Sequence, residues 1–196
     1  MATDSKLLYT QPGFAAWVKV YEPDYEYKEG GERGLDLFLK EEYAKPIIKV
    51  YEQCIKDTIA ANKGKGQPSP YVQYGLASDM KQEHLDKLKE QGFTPDPDWY
   101  RFKFRNNYKV TPKGGTEFIT KLTVLDENKK ARPHNRDEEI GHGAKVRVGY
   151  EPRGWFYSGK VGCKLQPIAV QVLDNPNPYG SAGTAPVNFP EEDIPF

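Results

Sequence analysis

Residues 99–108 read WYRFKFRNNY. In an extended strand Arg101, Lys103 and Arg105 share one face, while Phe102 and Phe104 share the other. The rings suit a core. The cations suit either solvent or the phosphates of a nucleic acid. A second set lies in 145–160, where Lys145 and Arg147 share a strand face. Tyr150, Trp155, Phe156 and Tyr157 follow around Pro152 and Gly154, flanked by Arg153 and Lys160. Four aromatics beside a Pro/Gly bend exceed what a chain reversal needs. Unpaired bases stack on such rings, each contributing about 1–3 kcal/mol. A duplex hides its base faces, so the pattern favours single strands. The competing reading has Trp155 and Phe156 plugging one end of the fold.

Enzymatic constellations are thin. His84 sits on a polar helical stretch and reads as solvated. His134 and His142 lie in a charged, Gly-rich loop without Cys or His at ligand spacing, so no metal is expected. Gly141-His142-Gly143 lacks the strand–GxGxxG–helix setting of a dinucleotide site, and no Walker-type loop occurs. No Ser or Cys has the surroundings of a nucleophile elbow. Neither catalysis nor a cofactor is therefore expected.

The elements that position the cations and rings are mostly strands. Segments 14–20 (FAAWVKV) and 34–40 (GLDLFLK) read as strands, the second with Leu35, Leu37 and Leu39 on one face. A helix follows, with Pro46 in its first turn and a stripe of Ile47, Tyr51, Cys54 or Ile55, and Thr58 or Ile59; Asn62 and Gly64 end it. KGKGQPSP reads as a flexible loop. Asp79 is expected to cap a shorter helix, with Gln82 completing a capping box and Leu85 and Leu88 facing inward. Beyond Pro97 the texture becomes β-branched and aromatic, in 99–110, 117–126, 144–151 and 155–173, with a bend near Gly159–Gly162 and a bulge or edge position at Pro167. Cys163 reads as a small core residue. Five or more antiparallel strands with an inserted helical stretch suit a closed or partly open barrel, and a sandwich fits the pattern too.

The chain of 196 residues carries 28 Lys and Arg against 28 Asp and Glu. That zero is a sum of unlike parts. Residues 1–98 carry −4, residues 99–170 carry +8 (15 cations against 7 acids), and residues 171–196 carry −4. The positive field coincides with the strand-rich part, where a local excess can bind phosphate whatever the total. Thirteen of the 25 aromatics are Tyr. No apolar run reaches the roughly 18 residues of a membrane span, no signal peptide is seen in Met1–Tyr9, and two distant cysteines fit a reducing compartment. From Asp174 the chain is small and Pro-rich and reads as a disordered linker, ending Glu191-Glu192-Asp193-Ile194-Pro195-Phe196. A terminal ring and carboxylate suit a partner's apolar pocket beside a basic residue.

That ending resembles the C-terminal peptide of bacterial single-stranded DNA-binding proteins. The body resembles the bacteriophage single-stranded DNA-binding proteins of replication systems with a self-contained polymerase and helicase–primase. The likeness runs from YEPDY…ERGLDLFL through FKFR and TVLDENKK to PRGWFYSGKVGCKL and AVQVL. It implies a mainly β chain: an OB-fold five-stranded antiparallel barrel over 1–173, a helical insertion at about 43–91, and a disordered acidic tail over 174–196. It also implies non-sequence-specific coating of single-stranded DNA in phage replication, recombination and repair, without enzymatic activity. The setting would be the cytoplasm of an infected bacterium, with the chain a monomer or weak homo-oligomer. Family cations fall on Lys103 and Arg105, and on Lys145 and Arg147; the stacking Trp falls on Trp155. A second family ring falls at Arg153, where Tyr157 or Phe156 would substitute. The tail would recruit phage or host replication and recombination proteins and compete with DNA for the basic groove. The alternatives are a protein-interaction adaptor that binds no nucleic acid and, less favoured, a nuclease.

Overall fold

Five segments rich in β-branched and aromatic residues pair into a ring. In chain order they are β1 (Gly13–Asp24), β2 (Glu32–Leu39), β3 (Tyr100–Asn107), β4 (Lys145–Tyr157) and β5 (Lys160–Asp174). The computed structural model describes residues 7–26, 28–112 and 114–176. β2 pairs with β1 and β3, and β4 pairs with β1 and β5, all antiparallel. β5 closes the ring on β3 through a parallel bridge between Leu165 and Phe104. This is the closed OB-type barrel. One junction is parallel because a ring of five strands cannot alternate direction at every step.

Period-two alternation fills the barrel. Leu35, Leu37 and Leu39 meet Phe102, Phe104, Val146, Val148, Cys163 and Leu165 inside it. Between β2 and β3 the chain forms α1 (Glu41–Ala61), whose buried Ala44, Ile47 and Tyr51 lie against β4 and β5. The helix starts earlier than its sequence suggests. Pro46 therefore sits in its second turn, where its missing N–H leaves one intrahelical bond unmade. The shorter helix α2 (Gln82–Glu90) buries Leu88 beside Phe93, Phe38 and Ala16 on the outside of the barrel. Asp79 does not cap it. That residue ends a 3₁₀ turn, Ala77–Asp79, and α2 begins after Lys81 without a side-chain cap.

The segment 117–126 is not one barrel strand. Phe118–Ile119 pairs with Lys109–Val110, and Thr123–Leu125 runs parallel beside β5. The bend expected around Pro152 and Gly154 is also absent. β4 runs straight through both and returns as β5 by a two-residue turn, Ser158–Gly159, with φ of 47° and 74°. Two positive φ values match the twist of a hairpin, and glycine meets the second without strain. Near Pro167 the register skips Ile168, giving the expected bulge. Order continues past residue 173: Asn175 accepts from the Gly141 N–H and donates to the Glu139 carbonyl. The acidic ending Glu191–Phe196 lies outside the described residues. Among those described, no helix is long and apolar enough to cross a membrane.

Candidate nucleic-acid interface

β3 points Phe102 and Phe104 inward and Arg101, Lys103 and Arg105 outward, as alternation requires. Directly across from Lys103 lies Asp36 of β2. Asp36 is fully buried, because two guanidiniums close over it. Arg101 Nε donates to its Oδ2 and Arg105 Nη2 to its Oδ1, each at 2.5 Å. Arg105 also donates to the carbonyls of Leu35 and Phe104. The two arginines are thus largely occupied by the protein. Lys103 between them is exposed and forms no ion pair among the described residues. Partial burial, together with the Arg101 charge, holds its ammonium below the ordinary lysine value, although Asp36 acts in the opposite sense.

The row continues onto β5. Leu165 and Phe104 are both inward at the parallel bridge, so Lys164 is outward, level with Lys103 and on the side of Arg105. The Lys164 ammonium donates to Asn107 Oδ1 at 2.9 Å and lies 3.5 Å from Glu32. Lys28 pairs with the same carboxylate, and Arg105 approaches it at 3.7 Å. Burial and the nearby Lys28 charge push Lys164 below its ordinary value as well. Five cations here, Lys28, Arg101, Lys103, Arg105 and Lys164, surround the two carboxylates of Glu32 and Asp36. The face therefore retains an excess of positive charge.

Further along β5 the same outward side carries Gly162 and Lys160, opposite Trp155 and Tyr157 of β4. The Trp155 ring lies over Gly162; a Cβ there would meet it at 2.2 Å. Trp155 is 36% exposed and Tyr157 79%. Arg153 is exposed one pair further in, bound to Glu151 at 2.6 Å. Phe156 alternates to the other side, against Gly66. The face thus joins Arg101, Lys103, Arg105, Arg153, Trp155, Tyr157 and Lys160.

Tyr150 does not belong to it. Its ring is 2% exposed and packs edge-on against Phe104 at 5.4 Å, so it offers no face to a base. Lys145 and Arg147 stand at the opposite end of β4, paired with Asp174 and Gln171. Eight residues of strand, about 26 Å, separate Arg147 from Trp155. Arg147 instead lines a separate cavity of about 510 Å³ with Tyr9, Lys129 and Gln171.

Several residues of this surface escaped the sequence reading. Lys164 was legible in principle, since it alternates with the core residues Cys163 and Leu165. Asp36 was not, because nothing local says which cations will cover a carboxylate. Trp17 was equally hidden. It sits in a bulge of β1 at φ 47°, with the Arg101 guanidinium 5.1 Å from its ring centre. His84, partly exposed, and His142, buried, both meet its ring edge-on.

No protein-family model matches the chain, and no curated protein does. Solved structures do. One is gp2.5, a single-stranded DNA-binding protein encoded by bacteriophage T7, at 18% identity over 90% of this chain and 91% of that one, with a TM-score of 0.63. Another is the single-stranded DNA-binding protein of bacteriophage Enc34 in complex with single-stranded DNA, at 13% identity over 90% and 91%, with a TM-score of 0.64. At such identities the likeness establishes a shared fold.

Proposed function

We propose that this chain binds single-stranded DNA without sequence preference along the outward face of β3, β5 and the β4–β5 arm. The observation that carries the reading is the continuity of that face. A cation excess on β3 and β5 runs into an arm whose Trp155 sits over Gly162 and is partly exposed. Phosphates would be met chiefly by Lys103, Lys164, Lys160 and Arg153. Arg101 and Arg105, held by Asp36, would act as oriented hydrogen-bond donors. Bases would stack on Trp155 and Tyr157. The fold is shared with phage proteins that bind single-stranded DNA, one of them solved with the strand bound.

On the same reading the chain coats and protects single strands during phage replication, recombination and repair inside the infected bacterium, and is not an enzyme. Its acidic Glu191–Phe196 ending would recruit replication or recombination proteins. The test is fluorescence anisotropy with labelled oligo-dT, duplex DNA and RNA at two salt concentrations. Oligo-dT should bind most tightly, bind more weakly at high salt, and quench tryptophan emission. Absence of binding to any of the three would favour the adaptor reading instead.

A further inference from the structure

Between α1 and β3 the chain passes along the open edge of β5, beside the face described above. Gln67 and Pro68 pair with Lys160 and Val161, near the tip of the arm. The Gln67 N–H donates to the Gly159 carbonyl at 2.9 Å, and the Ser69 N–H to the Val161 carbonyl at 2.7 Å. At the other end Gln73 is held twice. Its backbone carbonyl accepts from the Lys103 N–H at 2.8 Å, and its side-chain Oε1 accepts from the Leu165 N–H at 3.0 Å. Ser69 to Gln73 thus spans the stretch of β5 from Val161 to Leu165, about 13 Å of strand. It is pinned at both ends.

Tyr71 stands midway along this pinned segment and is 84% exposed. Its own N–H is satisfied by Ser69 Oγ at 3.1 Å, which fixes the turn that presents it. Val72 beside it is half exposed. A ring set out in water on an ordered segment gains nothing for the fold, because burial is what makes an aromatic side chain stabilising. Its place has a different logic. On one side lies the arm, with Trp155 over Gly162; on the other lies Lys103. Neighbouring bases need successive ring faces, and the phosphates between them need cations.

We propose that Tyr71 is a base-stacking residue of the single-strand site, carrying the strand from Trp155 on the arm across to Lys103 on β3. The proposal rests on the single-strand reading above and adds the path the strand takes. It also adds a third exposed ring to Trp155 and Tyr157.

The experiment compares the full chain with Tyr71→Ala, Tyr71→Phe and Lys103→Gln in oligo-dT binding across a salt series. Tyr71→Ala should weaken binding about fivefold to a hundredfold at every salt concentration, the range expected for one lost stack. The slope of log affinity against log salt should stay unchanged, since no cation is removed. Tyr71→Phe should retain affinity. Because Tyr71 is exposed, the variants should keep the native melting temperature, and this is checked alongside. An oligonucleotide carrying 5-iodouracil should photo-crosslink to Tyr71. Native affinity in Tyr71→Ala with weakened binding in Lys103→Gln would overturn the proposal and leave the single-strand reading standing. No oligo-dT binding by the native chain would overturn both.

Discussion

The cations of β3 are unlike one another, although they alternate along one strand. Arg101 and Arg105 share the buried Asp36 carboxylate, which orients both guanidiniums and answers one of their two charges. Lys103, directly opposite Asp36, has no ion pair among the described residues, and partial burial, with the Arg101 charge second, depresses its pKa. A phosphate arriving there would supply the counter-charge it lacks. Lys103→Gln should therefore lower oligo-dT affinity and reduce the steepness of the salt dependence by about 0.7, the value for one neutralised phosphate on a single strand. Isothermal titration at four or more salt concentrations measures it. An unchanged slope would remove Lys103 from the phosphate path. Which cation stays available is decided by the placement of one carboxylate, and a strand pattern read in isolation has no access to that.

The elements hold the face in place through close backbone approaches. Gly34 of β2 lies against β3, and a Cβ there would stand 2.0 Å from the Phe104 carbonyl oxygen. Backbone cannot turn aside as a side chain can. Gly34→Ala should destabilise the barrel by about 1–3 kcal/mol, the usual cost of overpacking. Gly75→Ala, where nothing lies within 4 Å, should be near neutral. Denaturant melts of the two variants make the comparison. The same principle shapes the arm, where Gly162 leaves room for the Trp155 ring and the Ser158–Gly159 turn closes the hairpin. Glycines in 154–162 were legible as punctuation. That they mark a straight hairpin instead of a bend depends on pairing between β4 and β5, which extends over the whole of both strands.

At the scale of the molecule, pH and salt act on different parts. His142 is buried beside Trp17, and burial pushes its pKa down to about 4 against an ordinary 6.5. The unfolded chain then binds the proton first, so folding stability falls as pH drops from 6.5 towards 4. Between pH 6.5 and 5 the loss from this group should be about 1.6 kcal/mol. Melting temperature against pH should show it, and His142→Gln should flatten that part of the curve. The acidic ending would act through charge instead. If it occupies the basic face when no DNA is present, removing residues 189–196 should tighten oligo-dT binding, most at low salt, where unscreened attraction is strongest. Equal affinities of the truncated and full chains at low salt would count against that competition. On this reading the zero net charge is that of a chain able to cover its own +8 region.

The sequence by itself determined the parts that depend on local periodicity. The inward Leu and Phe rows, the outward cations, the apolar stripe of α1 and the Pro167 bulge all follow from which residues recur every second or every third to fourth position. These are short-range constraints, carried by neighbouring residues. Tertiary structure alone decided what depends on distant segments meeting. It buried Tyr150 against Phe104 and parted Arg147 from Trp155. It closed Asp36 under two arginines and brought Tyr71 alongside β5. Each of these turns on strand register and ring closure, in which residues tens of positions apart become neighbours, and no pattern within one segment encodes which neighbour that will be.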